Sequence, residues 1–315
     1  MAFAEWIVKI FDMAFYNILV SIFLVFNIHS QTQEIDSLIA NKNYSLAEKI
    51  ILSSIETNPN NEVLIKTLGD CYGYMKDWDN AIIQYRKLVE IDHNNAIYNY
   101  KLGGTLAAKA NDANRFKSLG LINEGKNYLI KSIELDNKNK EAIWALIQIF
   151  TELPQLLGGS KSIALQYAND LEKISLIDGL FSKKYIYEFK NDDEMASIYI
   201  NKLTDNLDSF NQKYEYNYLN LGIGELCYNN RVKLDKAIVH LNLYINNYTS
   251  RDRTSPDYAY YLLSKIYFYK NDLYSAKKHL DNAIAYYNSN KIENNSLYKQ
   301  MMKFKDNIEK WEFIL

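Results

Sequence analysis

The residues able to do chemistry are few and scattered. Four histidines, His29, His93, His240 and His279, occur in the 315 residues. None has a second His, Cys or carboxylate one turn on in a metal-site pattern, so no metal is expected. The acidic run Asp192-Asp193-Glu194 reads as the opening of a helix, where carboxylates favour the positive end of the dipole, rather than as an acid–base pair. Leu157-Gly158-Gly159-Ser160-Lys161-Ser162 invites comparison with the phosphate-binding loop G-x-x-x-x-G-K-[ST]. Its first Gly would fall on Pro154, and the Lys does not directly follow the second Gly. The stretch reads instead as a turn in which Ser160 or Ser162 caps the next helix. An anion held by backbone amides there is the alternative. No Ser or Cys sits in a nucleophile elbow. No catalytic residue and no cofactor is expected.

The elements that must carry these residues are helices. The chain is 48% hydrophobic, with only 3 Pro and 11 Gly. A strand-built chain of this length would need more turn punctuation, whereas long helices joined by short polar loops need less. The length exceeds one compact core, so two domains or an extended array is expected. The formal net charge is −2, with 36 basic and 38 acidic residues well mixed, which makes no footprint for nucleic acid. The 27 tyrosines accompany abundant Asn, Lys and Ile and read as codon bias more than as a sticky surface.

Residues 13 to 28 form an apolar run shorter than the ~20 residues of a membrane span. The run fits the core of a signal peptide cleaved after Ser30, with Met13 as an alternative start. Export to the periplasm or beyond is the expectation. Retention of the run as a membrane anchor and a hydrophobic first helix packed on the rest are the alternatives.

From Gln33 the apolar residues take a helical period, first at Ile35, Leu38 and Ile39, then at Ala47, Ile50 and Ile51. Next come Leu68-Gly69, Tyr72, Ala81 and Tyr85. Leu102-Gly103 stands 34 positions after Leu68-Gly69. Leu221-Gly222 repeats Leu68-Gly69 in a later unit, Asp235-Lys236-Ala237-Ile238 echoes Asp79-Asn80-Ala81-Ile82, and Tyr267 to Ala276 repeats the spacing of Tyr72 to Ala81. This pattern resembles the tetratricopeptide repeat, whose signature is W-x2-L-G-x2-Y, then A-x3-F, then P, on a 34-residue period. Ile65 stands where that family has Trp, and His93 where it often has Pro.

The resemblance implies an all-α, right-handed superhelix of helix–turn–helix units with a C-terminal capping helix. The expected organisation is a signal peptide or apolar anchor over 1–30 and units 1–4 over 31–178, with inserts near 110–123 and 154–162. Units 5–7 follow over 179–293, the fifth degenerate, and a capping helix spans 294–315. In such an array Cys71 and Cys227 are too far apart for a disulfide and read as small buried hydrophobes. Gly69 and Ala81 are expected where the helices of a unit cross, and Tyr72 and Tyr85 where a unit meets its neighbours.

In the family the first helix of each unit lines a concave face that takes peptides or partner helices. Carried over, this gives Lys66 and Asp70, Tyr100, Trp144, Tyr216, and Tyr258 and Tyr261 as partner-binding candidates. Aromatic residues are the usual anchors of interfaces. The family's Lys/Asn clamp for chaperone carboxyl termini is not expected, because Asp70 would repel a carboxylate. The expected role is a non-catalytic scaffold of the cell envelope binding a protein or peptide, with membrane association through the N-terminus possible. A membrane-tethered envelope subunit and an enzyme or anion site at 154–162 are the alternatives.

Overall fold

The computed structural model describes residues 33–113, 115–208, 210, 216–249, 252, 254–290 and 295–312. The apolar run at 13–28 lies outside the described residues. Everything regular within them is helical. The chain divides into two compact units between His93 and Asn94.

The first unit holds α1 (33–40), α2 (Tyr44–Thr57), α3 (Glu62–Tyr74) and α4 (Trp78–Ile91). The second holds α5 (Ala96–Asp112), α6 (Arg115–Leu135), α7 (Lys140–Glu152), α8 (Lys161–Ile174), α9 (Leu176–Phe189), α10 (Asp193–Asn206), α11 (Tyr218–Asn230), α12 (Leu234–Asn246), α13 (Pro256–Tyr269), α14 (Leu273–Ser289) and α15 (Asn295–Glu312). Consecutive helices pair as hairpins: α3 with α4, α5 with α6, and so on to α13 with α14. In the second unit the first helix of a hairpin also packs on the first helix of the next, as α7 does on α9 and α11 on α13. The boundary expected at 178/179 falls inside α9.

One local device builds most of these hairpins. Met75-Lys76-Asp77, Lys190-Asn191-Asp192 and Lys270-Asn271-Asp272 each put the middle residue at positive φ, from 53° to 60°. The third residue's N–H then bonds five residues back, at 2.9 Å in all three: Asp77 to Tyr72, Asp192 to Tyr187, and Asp272 to Tyr267. This is the Schellman closure of one helix. The same Asp carboxylate accepts from the backbone three residues on, so it also caps the next helix. Lys42 closes α1 in the same way, with Asn43 N–H on Leu38 carbonyl at 2.8 Å. The α9–α10 hairpin, expected to be degenerate, therefore has a regular turn.

A second device sets how closely the two helices of a hairpin approach. A Cβ on Gly69 would stand 2.7 Å from the Tyr85 ring, one on Gly103 would stand 2.7 Å from the Gly125 carbonyl oxygen, and one on Gly224 would stand 2.4 Å from Leu241. Each of these three hairpins thus has a small residue on its first helix facing a small–x3–large pair on its second: Ala81/Tyr85, Gly125/Leu129, Ala237/Leu241. In α13–α14 the first small residue is Ser264, fully buried and donating to the Ala276 carbonyl at 2.6 Å.

Two expectations change here. Tyr85 packs inside its own hairpin on Gly69, not on a neighbour; it is Tyr72 that reaches back, its hydroxyl donating to Glu48 of α2 at 2.9 Å. In α11 the close-packed residue is Gly224, whereas Gly222 faces Phe181 of α9. The sequence of the 110–123 insert is open to two readings, longer helices or a projecting loop, and it lengthens α5 and α6, which break only near Ala113. Cys71 and Cys227 are free and buried, and burial pushes their thiols up to about 12 and about 11.

Candidate functional site

The 154–162 segment is a closed turn. The amides of Leu157 and Gly159 donate to Pro154, Gly158 to Gln155, and Ser160 to Phe150, at 2.8–3.1 Å. Ser160 Oγ accepts from Ile163 N and caps α8. Gly158 takes φ +94°, and a Cβ on Gly159 would collide with the Leu153 carbonyl at 1.8 Å. Lys161 is paired with Asp192 at 2.8 Å and lies 4.5 Å over the Tyr187 ring. These four amides are committed to carbonyls and the lysine to a carboxylate, as in a helix-capping turn, which leaves them no bond to offer an anion. Among the described residues no group of three His, Cys, Asp or Glu could hold a metal.

In the first unit, Lys66 pairs with Asp70 at 3.1 Å, and Tyr85 Oη donates to Asp70 at 2.7 Å. Asp70 therefore ties α3 to α4.

The richest face lies in the second unit, along the first helices of its hairpins. Trp144 of α7 is half-buried with its ring centroid 5.9 Å from that of Tyr185 of α9, whose hydroxyl donates to Glu152. Burial and that carboxylate push the Tyr185 phenol up. At the start of α7, Lys140 lies 3.9 Å from Asp178 of α9 and 4.7 Å over the Tyr216 ring. Tyr216 Oη donates to Glu141, and Tyr218 Oη donates to Asp178 at 2.9 Å. Two carboxylates, a lysine and two tyrosines thus join the openings of α7, α9 and α11. Burial and then the Asp178 charge hold the Tyr218 phenol far above its usual range.

One turn further along, α9, α10 and α11 enclose a cleft of about 310 Å³. Phe181, Ile200 and Leu226 make apolar wall, Gly222 leaves it open, and Lys184, Glu188 and Glu225 bring charge. Lys184 is paired with Glu188 at 2.7 Å. Glu225 takes a hydrogen bond from Tyr258 of α13. Burial raises the Glu225 carboxyl, and Tyr258 and the Lys184 charge oppose that rise.

Of the seven expected partner-binding residues, the structure brings Trp144, Tyr216 and Tyr258 onto this face. Tyr100 is half-buried against the α7–α8 core. Lys66 and Asp70 belong to the first unit. Tyr261 is corrected: it is only 6% exposed, edge-on to Phe304 of α15 at 6.0 Å, and burial lifts its phenol to about 12. It holds the last helix rather than presenting a free ring. Sequence reasoning missed Asp178, Lys184, Tyr185 and Glu225. Aligning α11 on Gly222 instead of Gly224 turns Glu225 away from this face, and the nine-residue spacing of Tyr187 to Ala196, the same as Tyr72 to Ala81, would have restored α9 to the pattern.

Residues 67–95 match the family model of the tetratricopeptide repeat. No curated protein matches the chain. Among solved structures, a tetratricopeptide repeat protein from Parabacteroides merdae is 13% identical, with 87% of this chain and 97% of that chain covered and a TM-score of 0.46. A thermophilic TPR protein of Thermus thermophilus is 12% identical, covering 68% and 97%, with a TM-score of 0.47. PilF of Pseudomonas aeruginosa is 14% identical, covering 78% and 97%, with a TM-score of 0.46. The match falls on the α3–α4 hairpin, whose Gly69, Ala81 and Tyr85 set a packing that α5–α6 and α11–α12 repeat, and residues 67–95 carry a tetratricopeptide repeat.

Proposed function

We propose that the chain is a non-catalytic scaffold, exported to the cell envelope, that binds an extended segment of a partner protein on the α7–α9–α11–α13 face. The observation that carries this reading is the row of aromatic rings interleaved with paired charges, from Trp144 and Tyr185 through Tyr216 and Tyr218 to Tyr258, whose hydroxyl reaches Glu225 at the wall of the 310 Å³ cleft. Rings supply contact area at low entropic cost, and fixed charges set register and reject wrong partners. The apolar run at 13–28 supports export.

The test is capture of partners by the full chain from its native envelope, repeated with Trp144→Ala and Tyr258→Ala. A partner lost with both variants supports the face. A partner retained by both moves the interface elsewhere. Mass spectrometry of the mature protein decides export: loss of the first 30 residues supports a cleaved leader, and their retention favours a membrane tether.

A further inference from the structure

We propose that the cleft between α9, α10 and α11 is a pocket for one arginine side chain of the bound segment, with Glu225 as its charge partner; this rests on the peptide-binding reading above.

The argument begins with charge. Three ionisable groups line the cleft, Lys184, Glu188 and Glu225. Lys184 and Glu188 are neighbours at i and i+4 on α9 and neutralise each other at 2.7 Å. That leaves Glu225, whose hydrogen bond comes from the neutral hydroxyl of Tyr258. The cleft therefore carries one carboxylate in excess, and a carboxylate set among Phe181, Leu226 and Ile200 is costly to desolvate unless a cation joins it. The complementary ligand is a cation.

Shape narrows the class. A volume of about 310 Å³ is at the small end of ligand clefts, the scale of a side chain rather than of a folded element. The apolar wall of Phe181, Ile200 and Leu226 suits a methylene stem, and Gly222 has no side chain to block it. Phe181 offers a ring for stacking, and the Asn230 amide, whose nitrogen donates to Leu226 carbonyl at 2.8 Å, keeps its oxygen as an acceptor. A planar guanidinium can fork onto a carboxylate, meet an amide oxygen and lie on a ring at once, whereas an ammonium is a point charge. Arginine fits the lining better than lysine.

The experiment uses the full chain and four pools of acetylated, amidated nonapeptides. The pools are random except at the central position, fixed as arginine, lysine, citrulline or glutamate, and binding is read by fluorescence anisotropy. Citrulline keeps the shape of arginine and lacks its charge. A hydrogen bond to a charged group is worth about 1.5–3 kcal/mol, so the arginine pool should bind at least about tenfold more tightly than the citrulline pool, with lysine between them. Glu225→Gln, which keeps size and the Tyr258 contact, should remove that preference while leaving the citrulline pool unchanged. Equal binding of the arginine and citrulline pools, or an arginine preference that survives Glu225→Gln, overturns the pocket but leaves the peptide face standing. Failure of every pool to bind overturns both.

Discussion

The α carbon of Gly69 faces the ring of Tyr85 so closely that a Cβ there would stand 2.7 Å from Cε1 and 2.9 Å from Cζ. The ring has little room to retreat, because it is 3% exposed and its hydroxyl is held by Asp70 at 2.7 Å. Gly73, one turn later on the same helix, has nothing within 4 Å of its would-be Cβ. Alanine at either site improves helix propensity by up to about 1 kcal/mol, but overpacking costs about 1–3 kcal/mol. Gly69→Ala should therefore lower the urea midpoint and Gly73→Ala should raise it. A midpoint that rises for both would mean that the Tyr85 ring moves freely.

The Asp178 carboxylate is 4% exposed, and its Oδ1 takes the Tyr218 hydroxyl at 2.9 Å with Lys140 no closer than 3.9 Å to Oδ2. Tyr218→Phe removes the better of these contacts and leaves a buried charge underpaired. A loss of about 1–3 kcal/mol in unfolding free energy is expected. Tyr218→Phe with Asp178→Asn should recover part of it, since the residual charge is gone. A double variant no more stable than Tyr218→Phe alone would show that the charge was never the source of the cost.

How much of this was legible beforehand follows from what each residue does. The hairpin turns carry an uneven local signal, because Asn271-Asp272 joins a residue that tolerates the left-handed region to a helix cap, whereas Lys76 before Asp77 gives no such sign. The repeat was legible where Gly and Ala mark both sides of a crossing. It became obscure wherever another small residue took the place. Gly125 stands where Ala81 does and Ser264 where Gly69 does, so a search for the usual letters passes over both. Face assignment was the weakest step. Helix rotation is fixed by the crossing residue, and a two-residue slip from Gly224 to Gly222 rotates α11 by about half a turn. That slip hid Glu225. Burial of Tyr261 was illegible because the helix that covers it lies some forty residues later in the chain, a tertiary fact with no local signal.

His240 is 1% exposed, with Nδ1 at 2.9 Å from Asn220 Oδ1. Burial, and then the Lys236 charge, hold its pKa down at about 4, against an ordinary 6.5. Between those values the unfolded chain takes up a proton that the folded chain refuses. The stability tied to neutral His240 is thus complete above about pH 6.5, falls as pH drops toward about 4, and levels off below. The full loss should be on the order of 3 kcal/mol. Burial lowers His279 in the same direction, so it adds to the slope. Chemical denaturation from pH 7 to 5 should show a falling midpoint for the wild type and a shallower fall for His240→Gln. Identical slopes would place the pH sensitivity elsewhere.

Phe304 of α15 is 6% exposed and meets Tyr261 edge-on at 6.0 Å and Phe268 at 5.3 Å, while Lys265 Nζ lies 4.7 Å over its ring. Leu297, Met301 and Ile308 continue this apolar stripe onto Ala276, Leu280 and Ala283 of α14. The α13–α14 hairpin cannot bury that surface alone, and α15 covers it with the apolar side of an amphipathic helix. Phe304→Ala should cost about 3–5 kcal/mol. The loss should be local, because α15 packs chiefly on α13 and α14. Hydrogen exchange should quicken across α15 and α14 while α7 to α9 keep their protection. Lys299→Ala, on the exposed side of α15, should change neither. Uniform loss of protection through the second unit would instead mean that its hairpins unfold as a single cooperative block, with α15 inside that block rather than a cap upon it.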